Sequence, residues 1–313
     1  MSVDELTRLV MDDPTLPPGL PPIVAPRTRL LWWHGALAML FAVIMLVIAN
    51  VAVAVVVLVA QYGVDGVASA MADQRKLITF PLMAAGSIAN LFVFLVVAAL
   101  VPFVARVPHK SALGLGGAPP STFVWGAVGI LGLGPLADRI VTTLKPYFPE
   151  QSALEMIEAA VSGQPLWVLV PVLAVAPAIG EELLCRGVLQ RSIPWPAVAL
   201  PVSAVFFAGL HMDPLQSSGV LHLGLYLAWL GHRTRSVWVP VFAHFINNLA
   251  ATLAMHFTAG EDLTTTDVLP LWAVPAGLVL TFGAMALLHR GMRITEVRAL
   301  SPASPALELE NPP

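Results

Sequence analysis

Long uninterrupted apolar runs alternate along the chain with short polar connections, and the runs have the length of membrane helices. Runs of roughly 17 to 25 apolar residues cross a hydrocarbon core. Counted this way, spans fall near residues 34–60, 80–104, 122–143, 168–192, 197–213, 219–232, 237–257 and 268–289. The pattern predicts an all-α, polytopic membrane helix bundle of about eight transmembrane helices over residues 31–290. Pro171, Pro177 and Pro201 interrupt the fourth and fifth runs. Pro177 lies one turn before Glu181 and withholds the N–H that would bond the Leu173 carbonyl, so that carbonyl needs another donor. The flanks, 1–30 and 291–313, are polar and proline-rich and read as disordered cytoplasmic tails. Asp4, Glu5, Asp12 and Asp13 occupy the place where a signal peptide carries basic residues, so the run at 34–60 reads as an anchor and not a removed leader.

Composition sharpens this picture. Of the 313 residues 57% are hydrophobic and 11% charged, against roughly 25% charged in soluble domains. The net charge of −3 and the scattered Lys and Arg leave no footprint for a nucleic acid. The single cysteine, Cys185, excludes an internal disulfide and reads as a packing residue.

Lys and Arg orient the bundle, because cytoplasmic loops carry the excess. With the amino terminus inside, one side holds Arg8, Arg27, Arg29, Arg106, Lys110, Arg191, Arg233, Arg235, Arg290, Arg293 and Arg298. The other has Arg75, Lys76 and Lys145, with Arg139 near a helix end. Both termini are therefore expected in the cytoplasm, in agreement with an even number of spans. The protein is expected to be integral and multi-pass, in the plasma (inner) membrane if its host is prokaryotic. Its surroundings are the lipid bilayer.

Against this background the stretch A-P-A-I-G-E-E-L-L-C-R-G, residues 176–187, stands out. A charge at the bilayer centre costs at least about 2.5 kcal/mol. Glu182 and Arg186, four apart, share a helix face and can pair. Glu181 points about 100° away and is left free for chemistry. The next run ends in V-F-F-A-G-L-H, with Phe207 on the face of His211. V-P-V-F-A-H-F-I-N-N places His244 and Asn248 on one face in turn. Each set alone has a structural reading: a cytoplasmic loop, an interfacial histidine, and hydrogen-bond glue between helices. At about 1.5 Å per residue, the groups come out at compatible depths. Together they suggest chemistry. Glu181 with His211 makes a water-activating pair, and His244 with Asn248 can hold an oxyanion. Alternatively Glu181, His211 and His244 ligate a divalent metal such as zinc, although the helix signature H-E-x-x-H is absent. Asp138 and Arg139 read as a structural pair, and His222 as a lesser candidate for facing substrate.

E-E-L-L-C-R-G, F-A-G-L-H and H-F-I-N-N resemble, in order and spacing, the motifs E-E-x-x-x-R, F-x-x-x-H and H-x-x-x-N of the CPBP family. These are intramembrane CAAX proteases and bacteriocin-processing or immunity proteins, also called the Abi family. The likeness covers about residues 165–255, with Cys185 in place of the usual aromatic before the motif arginine. It implies a bundle of about eight spans with a cavity reached from the cytosolic side. It also implies an endopeptidase that cuts a peptide or membrane-anchored protein near that face. Glu181, His211, His244 and Asn248 would be its catalytic residues, supported by Glu182, Arg186 and Phe207, by a glutamate-dependent or a metal-dependent route. Two other functions fit the same residues: a non-proteolytic scaffold or bacteriocin-immunity factor, and a proton-coupled transporter. The lack of a visible internal repeat weakens the transporter.

Overall fold

The computed structural model describes residues 29–73, 79–148, 157, 159–258 and 269–300, with side chains described as far as residue 293. The described residues are helical, with no strand among them. The elements are α1 (Trp32–Met71), α2 (Phe80–Ala105), the short α3 (His109–Leu113), α4 (Pro120–Leu131), α5 (Gly134–Leu144), α6 (Leu166–Ser192), α7 (Pro196–Gly209), α8 (Pro214–Thr234), α9 (Trp238–Thr258) and α10 (Ala273–Leu300). Helices α2, α4, α7 and α8 begin with proline in the first turn, where its missing N–H has no helical partner to lose. Asp213 caps α8 by accepting from the Gln216 N–H at 2.7 Å. Gly63, at φ 69°, breaks α1 just past the end of the first apolar run.

Among the described residues six helices are long and apolar enough to cross a membrane: α1, α2, α4 continuing through α5, α6, α9 and α10. The other two apolar runs become α7 and α8. With 14 residues, α7 extends about 21 Å, short of a 30 Å core. α8 has 21 residues and is long enough, but too polar to qualify. The last helix continues past residue 290 to Leu300, so the polar tail begins later than expected. The tail expectations for 1–28 and 301–313 lie outside the described residues.

Large apolar side chains such as Ile88, Phe103, Val56 and Phe282 are exposed, the surface expected of helices solvated by lipid. Inside, two apolar clusters pack the bundle. One joins α1, α2 and α6, and the other gathers α7, α8 and α9 around Phe207 and Leu230. Glycine permits the closest approaches. A Cβ on Gly277 of α10 would lie 2.2 Å from the Gly132 carbonyl oxygen, and one on Gly224 of α8 would lie 2.8 Å from Phe207.

The helix ends sort into two faces. Gly35 abuts Ser192, Gly114 abuts Arg191, Arg191 donates to the Arg235 carbonyl, Ser236 donates to that of Gly116, and Arg233 donates to His289. This face therefore carries Arg29, Arg106, Lys110, Arg191, Arg233, Arg235, Arg290 and Arg293, along with the first and last described segments. At the opposite face Gly219 abuts Val141 and Arg139 donates to the Leu269 carbonyl. Only Arg139 and Lys145 are basic there among the described residues.

Candidate active site

Proline chemistry shapes the helix that carries both glutamates. α6 is π-helical over Val170–Val175, α-helical over Ala176–Glu182 and π-helical again over Leu183–Leu189, and such bulges concentrate at functional sites. Pro177 has no N–H for the carbonyls four and five residues behind it. Both find donors on other helices. Asn248 Nδ2 of α9 donates to the Leu173 oxygen at 3.2 Å, and Ser87 Oγ of α2 donates to that of Val172 at 2.7 Å.

The second glutamate is the structural centre. Glu182 is fully buried, and its Oε1 accepts from Arg186 Nη1 at 2.5 Å and from His244 Nδ1 at 3.0 Å. Arg186 also donates to the Gly224 carbonyl at 2.8 Å, and its guanidinium lies 4.5 Å over the Phe207 ring. A carboxylate acceptor requires His244 to carry its proton on Nδ1. Nε2 then holds a lone pair, which accepts from Asn248 Nδ2 at 3.1 Å. The two Asn248 amide protons are thus directed at Leu173 and His244, and its Oδ1 accepts from Asn247 at 3.2 Å.

His211 lies just past the end of α7, at the tip of the α7–α8 hairpin. The Phe207 carbonyl can only accept, so the 3.1 Å contact with His211 Nδ1 fixes that proton and leaves Nε2 as a lone-pair base. The buried Phe207 ring meets His211 and His244 edge-on, with centroids 5.3 Å from each. One aromatic side chain thereby sets the spacing of both imidazoles. Glu181, on the other side of α6, is half-buried, and its Oε2 is buried without a hydrogen-bond partner.

Glu181, His211, His244 and Asn248 line one cavity of about 930 Å³. Glu182 and Phe207 lie behind it and touch His244, and Arg186 reaches both of them in turn. Several cavity residues escaped sequence reading. Asn247, adjacent to a singled-out residue, lines the wall, as do Asn50 and Asn90, which bond each other at 2.7 Å. Their signal was present as isolated amides within apolar runs. Asp138 does not pair with Arg139. It lines the cavity, while Arg139 turns to Leu269, because adjacent helical residues point about 100° apart. His222 is outside the lining and contacts the Leu133 carbonyl at 3.3 Å.

From Phe94, Glu181 and His244 the lining runs to Leu82 near the start of α2, Val141 near the end of α5, Ile157, and Gln216 near the start of α8. All of these lie toward the face that carries few cations. Among the described residues the cavity therefore extends from the site toward that face. Among the described residues no group of three His, Cys, Asp or Glu side chains is placed to hold a metal ion.

Residues 163–250 match the family model described as type II CAAX prenyl endopeptidase Rce1-like. The segment is Rce1-like. The match is consistent with a CPBP-family intramembrane protease and supports, at family level, a CAAX-type protease and hence a hydrolase. It contains all seven residues singled out from the three motifs. No curated protein and no solved structure matches the chain.

Proposed function

We propose that this Rce1-like protein is an intramembrane endopeptidase in which Glu181 and His211 activate water against a peptide bond of a membrane-anchored substrate. The observation that carries the reading is the meeting of Glu181, His211, His244 and Asn248, from three motifs, in one cavity walled by apolar helices. Water in the cavity gives up its proton to the unpartnered Glu181 carboxylate or to the His211 Nε2 lone pair, and the resulting hydroxide attacks the carbonyl carbon. Negative charge then develops on the carbonyl oxygen. Glu182 holds the His244 imidazole in place through Nδ1, and the Asn248 amide that His244 positions through Nε2 turns to the oxyanion. Asn248 contributes an amide proton released from His244. Collapse of the tetrahedral intermediate breaks the C–N bond, and the proton held on Glu181 or His211 passes to the leaving amine. Water is activated here by the chain's own groups.

The test is turnover of a membrane-anchored peptide by the purified full chain in detergent. Glu181→Gln and His211→Ala are each expected to lower turnover by at least about 10²-fold, the contribution typical of general acid–base catalysis, with thermal unfolding near that of the parent. Turnover that survives both substitutions overturns the proposal.

A further inference from the structure

We propose that a second pocket, between α3, the end of α6 and the α8–α9 turn, binds a phosphate-bearing anion supplied by the headgroup of an anionic phospholipid. It shares no lining residue with the cavity that holds Glu181 and His211, so it stands whether or not the protease reading does. Lys110, Arg191 and Arg235 line it together with Ser111 and the glycines Gly114 and Gly116, around a volume of about 560 Å³. No carboxylate is among the lining residues, and among the described residues none pairs with any of the three cations. Three like charges drawn together from separate segments repel one another. An anion seated between them relieves that repulsion.

The backbone fixes this grouping. Gly114 sits at φ 68°, and a Cβ there would overlap the Arg191 guanidinium, so glycine is what lets that side chain lie across the loop. Arg191 in turn donates to the Arg235 carbonyl. The carbonyls of Gly114, Leu115 and Gly116 accept from Val237 N–H at 2.9 Å, Trp238 Nε1 at 3.4 Å and Ser236 Oγ at 2.7 Å. These bonds tie the loop to the α8–α9 turn and engage the oxygens that would oppose an anion. The level of the pocket selects a lipid over a soluble anion. Trp238, whose indole holds the loop, Trp32 and Trp33 at the start of α1, and Trp195 just before α7 are all exposed at this end of the bundle, and tryptophans gather at the headgroup level of a bilayer. Basic pockets between membrane helices at that level receive headgroup phosphates.

The test titrates the purified full chain in dodecyl maltoside with dioleoyl phosphatidylglycerol, dioleoyl phosphatidylcholine or inorganic phosphate, counting bound lipid by native mass spectrometry. Expected is saturable binding of phosphatidylglycerol at least about tenfold tighter than of phosphatidylcholine. The double variant Lys110→Gln with Arg235→Gln should weaken it by at least about tenfold, as the loss of two cations near a membrane surface predicts. Both side chains are exposed, so the variant should unfold near the parent's temperature. Arg290→Gln with Arg293→Gln removes as much charge from the same face outside the pocket and should leave the affinity near that of the parent. Equal weakening in the two double variants assigns the binding to the charge of the whole face and overturns the proposal, as does phosphatidylcholine bound as tightly as phosphatidylglycerol. Displacement of phosphatidylglycerol by an equal concentration of inorganic phosphate gives the pocket to a soluble anion and overturns the lipid source.

Discussion

The adjacent pair Glu181 and Glu182 shows how one residue of register separates two roles. The 100° turn sends Glu182 into a fully buried network with Arg186 and His244, while Glu181 faces the cavity with an unpartnered oxygen. Their substitutions should therefore differ in kind. Glu182→Gln leaves a buried guanidinium without its counter-charge, a change that costs about 3–5 kcal/mol, and should lower the unfolding temperature in detergent as well as turnover. Glu181→Gln should lower turnover with little effect on unfolding. Replacing both partners, Glu182→Gln with Arg186→Met, should recover much of the lost stability, since removing a whole buried pair is often nearly neutral. Turnover should stay low, because His244 no longer has a carboxylate on Nδ1. Spacing made the Glu182–Arg186 pair legible in the sequence, because both members sit on one helix. The bond to His244 was not, because it depends on how α6 packs against α9, and no local pattern encodes that.

Among the elements, α6 and the α7–α8 hairpin carry the site by opposite means. α6 is distorted where Pro177 removes a donor, and Asn248 and Ser87 repair the gap. Pro177→Ala restores an N–H on α6 and should loosen the hold of Leu173 on Asn248. The expected outcome is lower kcat with unchanged or higher unfolding temperature, measured on the same peptide substrate. The hairpin depends on close approach instead. In Gly224→Ala the new methyl would lie 2.8 Å from Phe207, an overpacking that costs about 1–3 kcal/mol and displaces the ring that spaces both histidines. Gly187→Ala, with its nearest neighbour at 3.4 Å, serves as the tolerated comparison in unfolding and turnover assays. The element boundaries were largely legible: the apolar run at 34–60 stops just before Gly63, and the run at 80–104 coincides with α2. The π-helical stretches were not, since Pro177 announces an orphaned carbonyl without saying which side chain will meet it.

For the molecule as a whole, the sequence carried the all-helical membrane architecture, because that follows from run length and the cost of burying charge in lipid. It did not carry the extent of the cavity between the helices. Depth estimates along single helices place groups at one level but cannot tell which face the space between helices reaches. That property emerges from α2, α5, α6, α8 and α9 together. Water activation by Glu181 and His211, as proposed, requires no metal ion. Turnover should persist in excess EDTA, with less than stoichiometric zinc in the active preparation by elemental analysis; loss on chelation and recovery on adding zinc would contradict this.

The brevity of α7 has a consequence for the surrounding lipid. A helix of 14 residues leaves acyl chains beside it without a full-length wall, and the bilayer answers such mismatch by thinning locally or by forcing the protein to tilt. Reconstitution in a series of phosphatidylcholines of increasing tail length should then give a maximum of turnover in the shorter members, with decline as the leaflets thicken.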